Sequence, residues 1–160
     1  MNRADPAETI VHMAVQKGLL ITTAESCTGG MVAAALTDVA GSSGMFERGV
    51  ITYSNAVKTA LLGVSVATLE AHGAVSEEVA AQMAAGARAT AAADIAIAIT
   101  GIAGPGGSEF KPEGRVCFGL ADAAGVKTQT VEFGAIGRPL VRASARDHAL
   151  KLLLDAVQSS

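Results

Sequence analysis

The stretch T-T-A-E-S-C-T-G-G-M at residues 22–31 sets a hydroxyl, a thiol and a second hydroxyl side by side at Ser26, Cys27 and Thr28, then breaks into Gly29 and Gly30. The apolar run Leu19, Leu20, Ile21 before it reads as a short strand, and residues 31–36 after it read as a helix. The cluster therefore falls on a strand-to-helix turn. Such a turn exposes side chains at a sheet edge and aims unpaired N–H groups at whatever lies above, a setting suited to an anion or a developing oxyanion. Thr28 reads as the helix cap, and Gly29 and Gly30 let the backbone approach a ligand.

Working outward, Asp5, Pro6 and Glu8 mark a helix start that Gly18 ends. The turn-rich A-G-S-S-G at residues 40–44 leads into F-E-R-G-V-I-T-Y-S, a second strand rich in β-branched and aromatic residues. Asn55 is placed to cap a short helix that carries Lys58 and closes at Gly63, and Ser76 opens an Ala-rich helix through residues 79–93. The small residues of that helix suit packing inside the domain or against a twin subunit. D-I-A-I-A-I-T at residues 94–100 reads as a buried third strand, followed at once by the glycine-rich G-I-A-G-P-G-G. R-V-C-F-G-L-A-D and T-Q-T-V-E-F read as an antiparallel pair, and Pro139 opens a last helix. The pattern predicts one domain over residues 1–160, a three-layer α/β/α fold with a mixed, mostly parallel sheet. Strand-like segments end at Ser26, Tyr53 and Thr100, and strand ends along one edge of an α/β sheet are where ligands gather.

Composition narrows the function classes. A formal charge of -3 supplies no broad basic field for nucleic acid, an aromatic fraction of 3% without Trp argues against base-stacking platforms, and no apolar run reaches membrane-spanning length. Two cysteines with no basic and apolar leader pattern before them predict free thiols and a cytoplasmic setting. The partner expected is a small molecule.

A serine hydroxyl is a poor nucleophile until a base takes its proton. His12, His72 and His148 all lie away from the strand-end loops, whereas Lys58 follows Tyr53 closely, and a lysine held neutral by burial is an alternative base. Ser26 with Lys58 is the candidate pair, with a solvated helix lysine as the plainer reading. Cys27 is the rival nucleophile; adjacent residues of an extended chain point to opposite faces, so Ser26 and Cys27 are not expected to share a pocket. Residues 100–107, beginning with Thr100 and Gly101, have the glycine content of a phosphate-cradling loop without a Walker ending or a dinucleotide fingerprint. Arg138, Arg142 and Arg146 suit an anion clamp or a solvated helix face.

Taken together, A-E-S-C-T-G-G, G-S-S-G-M-F-E-R-G-V-I-T-Y-S-N-A-V-K, H-G-A-V-S-E-E-V-A, T-G-I-A-G-P-G-G and K-P-E-G-R-V closely resemble the CinA carboxy-terminal domain family, the nicotinamide-nucleotide amidases. The resemblance runs from about residue 10 to residue 154. It implies a stand-alone domain, a homo-oligomer, that hydrolyses the carboxamide of nicotinamide mononucleotide to the acid and ammonia in pyridine-nucleotide recycling; no cofactor is expected, and no metal, since the cysteines are far apart in sequence and no His or Asp cluster has ligand spacing. Position by position it implies Ser26 as nucleophile, Lys58 as base, Tyr53 as a residue that assists proton transfer or holds Lys58, Thr100 as a substrate contact and Arg142 as the last-helix arginine. The chain departs from the family where Gly-Asp-Arg is frequent and Ile136, Gly137, Arg138, Pro139 stand instead, which leaves Arg138 and Arg142 as alternatives. Ser108, Glu109 and Phe110 replace small residues at the loop rim. Against the enzyme stands a non-catalytic nucleotide-binding or interaction module, in which Ser26 only caps a helix.

Overall fold

Asp5 accepts a hydrogen bond from the Ala7 amide, Pro6 takes the first turn and Gly18 closes the far end, giving α1 at Pro6–Lys17. There follow β1 at Ile21–Glu25, α2 at Met31–Thr37, β2 at Phe46–Ile51, α3 at Asn55–Leu62, α4 at Val66–His72, α5 at Glu77–Ala91, β3 at Ile95–Gly101, β4 at Arg115–Asp122, β5 at Gly125–Glu132 and α6 at Arg138–Gln158. This computed structural model describes residues 4–108 and 110–160. The strands form one sheet in the order β2-β1-β3-β4-β5. β1 pairs in parallel with β2 and β3, while β4 is antiparallel to both β3 and β5, so β4 alone runs against the rest.

The alternation along β3 sets the thickness of the two helical layers. Ile95, Ile97 and Ile99 join one core with Ile10 and Val11 of α1, Val32 and Leu36 of α2, and Val141 and Leu153 of α6. Ala96 and Ala98 face the opposite core, which holds Leu62 of α3 and Val79, Met83, Ala84 and Ala87 of α5. Large residues on one face and small ones on the other let α5 lie close to the sheet. The small residues of α5 thus serve the interior: Val79, Ala80, Met83, Ala84, Ala87 and Ala91 are all buried.

Gly86 marks a close backbone approach between α5 and the end of α3, because a Cβ built there would lie 1.8 Å from the carbonyl oxygen of Leu62. Alanine favours a helix over glycine by about 1 kcal/mol, whereas overpacking costs about 1–3 kcal/mol, and a backbone oxygen at that distance has little room to retreat. Gly86→Ala is expected to destabilise the fold by about 2 kcal/mol in urea unfolding; unchanged or increased stability would contradict this packing.

Three local expectations need correction. The strand begins at Ile21 and runs through Glu25, not over residues 19–21, because the Leu19 amide closes α1 on Ala14 and the Leu20 amide is taken by the Asp94 carboxylate. α3 is capped by Ser54, whose hydroxyl accepts from the Val57 amide, rather than by Asn55. Thr28 does not cap α2: its hydroxyl donates to the Glu25 carboxylate at 2.7 Å, and Glu25 accepts from the Val32 and Ala33 amides at 2.9 and 3.1 Å. Helix α4, capped by Ser65, had no counterpart in the sequence reading. Among the described residues no helix is long and apolar enough to cross a membrane.

Candidate active site

Because β1, β2 and β3 are parallel, their carboxy-terminal ends share one edge of the sheet. Ser26 directly follows β1, Tyr53 lies two residues beyond β2, and Thr100 is next to last in β3. All three border one cavity of about 380 Å³, within the range of small-molecule sites. The remaining wall comes from α3 through Lys58 and Asn55, from the glycine-rich loop, and from Arg138 at the start of α6.

Lys58 is only 1% exposed and Ser26 8%. Lys58 Nζ lies 3.0 Å from Ser26 Oγ, 2.7 Å from the Thr52 carbonyl oxygen and 3.3 Å from that of Tyr53. A neutral amine has two N–H donors and one lone pair. In that form the two carbonyls can take the donors and the lone pair can face the serine proton; in the charged form the third N–H donates to Ser26 Oγ. Burial holds Lys58 below the ordinary lysine pKa of 10.5, against a smaller opposing effect of the Cys27 thiol. The solvated-lysine reading is excluded by this burial.

Cys27 lines the same cavity as Ser26, against the expectation that the two would not share a pocket, because β1 ends at Glu25 and strand alternation stops there; Cys27 also belongs to the apolar core with Ile99 and Val116, and burial pushes its thiol up to about 11. That direction disfavours the thiolate that nucleophilic attack requires. The histidines lie elsewhere: the His148 ring stands 4.7 Å from that of Phe118 and its Nε2 is 2.7 Å from Gln129, while His72 faces Glu78 at 3.9 Å.

Of the residues expected at the substrate, Thr100 and Gly101 line the cavity, and the Thr100 hydroxyl donates to the Ala74 carbonyl at 2.8 Å. Thr28, Gly29, Gly30 and Arg142 stand behind the cavity rather than in it. Gly29 and Gly30 have φ of 57° and 106°, conformations that glycine reaches without strain, and they turn the chain into α2. The Gly29 amide donates to the Ser26 carbonyl at 3.1 Å, which closes the turn within the backbone. Arg142 donates to the carbonyls of Cys27 at 2.9 Å and Thr28 at 3.4 Å, bracing the turn from beneath.

The arginine that reaches the cavity is Arg138, which donates to the Gly104 carbonyl at 2.6 Å and to the Tyr53 phenol oxygen at 2.7 Å. Tyr53 holds Lys58 with its carbonyl and Arg138 with its side chain, and at 61% exposure its ring forms part of the mouth. At the rim, Ser108 and Lys111 pair across the loop tip, Phe110 points into solvent, and Glu109 lies outside the described residues. Lys111 fastens this loop by donating to the carbonyls of His72 and Val75. A larger open groove of about 810 Å³ lies between the start of α5 and the β4–β5 hairpin. Its Glu77 carboxylate is occupied by the Thr128 and Thr130 hydroxyls, and its Ser76 and Lys111 each donate to backbone carbonyls, of Gly73 and of His72 and Val75, so the chemistry is assigned to the smaller cavity.

Sequence reasoning missed Glu25, which reads as one polar residue in a strand; only its placement three residues before Thr28 and just ahead of a helix start hinted at a cap.

Fold and site together describe an α/β protein with a serine–lysine pair set in a cavity at the carboxy-terminal edge of its parallel strands. The chain belongs to the CinA C-terminal domain family, which it matches over residues 3–157. Nicotinamide-nucleotide amidohydrolase PncC of Escherichia coli K12 is 52% identical over 138 residues, spanning 86% of this chain and 84% of that protein. Among solved structures, a CinA superfamily protein from Klebsiella pneumoniae superposes with a TM-score of 0.93 at 36% identity over the whole of both chains. The competence/damage inducible protein CihA from Agrobacterium tumefaciens does so with a TM-score of 0.87 at 41% identity over 99% of each.

Proposed function

We propose that this protein is a nicotinamide-nucleotide amidohydrolase that converts nicotinamide mononucleotide and water to nicotinic acid mononucleotide and ammonia, with Ser26 as nucleophile and Lys58 as base. The observation that carries the chemistry is the buried Lys58 amine 3.0 Å from the Ser26 hydroxyl; the substrate rests on the similarity to the amidohydrolase of Escherichia coli. Neutral Lys58 takes the Ser26 proton as Oγ attacks the carboxamide carbon. The Cys27 amide, directly after the nucleophile, steadies the oxyanion. Lys58 then returns its proton to the departing nitrogen, ammonia leaves, and water cleaves the resulting ester with Lys58 again as base.

Arg138 meets the substrate phosphate, with Tyr53 and Gly104 holding its guanidinium in place until the nucleotide arrives. Thr100 and Gly101 form the wall beside the reacting amide, while Thr28, Gly29, Gly30 and Arg142 shape the turn that presents Ser26. The protein works in the cytoplasm as a homo-oligomer; a monomer mass that does not change with concentration would contradict the second part. Purified protein incubated with nicotinamide mononucleotide should release one ammonia per acid formed, and binding without turnover would favour the interaction module instead.

The pH profile carries its own expectation. Protonated Lys58 cannot accept the serine proton, so kcat/KM should be low in acid and rise with pH through the pKa of Lys58. Burial lowers that pKa, which puts the midpoint of the rise below 10.5. A rate independent of pH, or a midpoint at or above that of an ordinary lysine, would remove Lys58 as the base.

A further inference from the structure

Glu25 occupies an unusual position for a carboxylate. It is 1% exposed, closes β1, and immediately precedes Ser26. Its main chain belongs to the sheet on both sides, paired with Ile51 of β2 and Ile99 of β3, and its carbonyl accepts from the Thr52 amide at 2.8 Å. Its side chain reaches forward across the turn to the Thr28 hydroxyl and the Val32 and Ala33 amides. One residue therefore anchors the chain on both sides of Ser26.

A helix start is ordinarily capped by a serine, threonine or aspartate at the residue before it, with no need to bury a carboxylate. Here that residue is Gly30, which contributes no side chain, and the cap comes from the preceding strand. Burying a carboxylate away from water is costly unless its oxygens are hydrogen-bonded, and three donors meet that condition. What the remote cap adds over a local one is a fixed distance between the end of β1 and the start of α2, and Ser26 is suspended between them.

We propose that Glu25 is a positioning residue for the nucleophile: through the Thr28 hydroxyl and the α2 amides it fixes the turn so that Ser26 Oγ stays on the Lys58 lone pair. The proposal rests on the serine–lysine reading of the site. Glu25 acts on geometry and not on the base, since among the described residues no hydrogen bond joins its carboxylate to Lys58 and the lowered pKa of Lys58 comes from burial.

The test is Glu25→Gln, equal in shape but with an NH2 group in place of one oxygen, so that in either orientation a donor faces an α2 amide, that of Val32 or that of Ala33. With nicotinamide mononucleotide as substrate, kcat is expected to fall by about tenfold to a hundredfold, as a small misplacement of a reacting group does. KM should stay within about twofold, and the acid limb of the pH profile should not move. Thr28→Val, which removes one of the three donors, should give a milder loss with the same signature and serves if the glutamine variant does not fold. Labelling of Ser26 by a small fluorophosphonate, followed by mass spectrometry, reports the same geometry without the nucleotide and should slow in parallel. Wild-type labelling without ammonia release would defeat the substrate reading and leave the labelling ratio to decide on Glu25. An unchanged kcat and labelling rate in folded variants, a loss expressed only in KM, or a shifted acid limb would overturn the positioning role.

Discussion

Ser26→Ala is expected to abolish ammonia release, by about four orders of magnitude or more, while the protein stays folded and still binds the nucleotide. The reason is local: the hydroxyl is the group that faces the Lys58 amine, and the side chain is small enough that its removal leaves little void. Lys58→Ala should be nearly as severe, and the double variant no worse than either, since nucleophile and base act as one unit. Cys27→Ala should keep most of the activity. Its thiol packs with Ile99 and Val116 and burial holds it protonated to about 11, so its removal costs packing and not chemistry. Initial-rate ammonia assays on all four folded variants check this set. A Cys27→Ala protein as inactive as Ser26→Ala would transfer the nucleophile to the thiol.

The second large effect separates two arginines on one helix. Arg138→Ala should weaken kcat/KM by about 1.5–3 kcal/mol, mainly through KM, because it deletes a charge-assisted contact to the substrate phosphate at the cavity mouth. Arg142→Ala should act mainly on kcat and on thermal stability, since its guanidinium supports the Cys27 and Thr28 carbonyls beneath the turn and does not reach the cavity. Steady-state kinetics with thermal unfolding resolve the two patterns. The opposite assignment of KM and kcat effects would place Arg142 at the substrate.

The family motif falls on Arg142 but its altered residues leave Arg138 as an alternative, and the reason lies in helix geometry. Residues four apart on a helix lie on one face one turn apart, so sequence spacing alone does not tell which of Arg138 and Arg142 reaches the cavity and which stops at the turn. The layers of the fold were more legible. The alternation of Ile and Ala along β3 and the caps at Asp5 and Ser76 are local signals, and the structure uses them as local chemistry predicts. The polar strand of residues 21–25 was harder to read, because Thr22, Thr23 and Glu25 are buried by elements distant in sequence; Thr22, for instance, donates to the Arg48 carbonyl. Likewise the burial of Lys58 depends on Ser26, Thr52 and Tyr53, just past the ends of β1 and β2, meeting its amine, and a helix of eight residues carries no signal of that. Glu25 was only faintly legible as a cap because the amides it accepts from lie seven and eight residues downstream, beyond any usual capping pattern.

The central claim is that an amide is opened by Ser26 through a covalent ester, and partition with hydroxylamine tests it most directly. Hydroxylamine competes with water for an acyl-enzyme, so nicotinamide mononucleotide turned over in its presence should yield the hydroxamate beside the acid while ammonia release continues. The account predicts hydroxamate from the wild type and from Cys27→Ala and none from Ser26→Ala. Hydroxamate formed by Ser26→Ala and not by Cys27→Ala would contradict it.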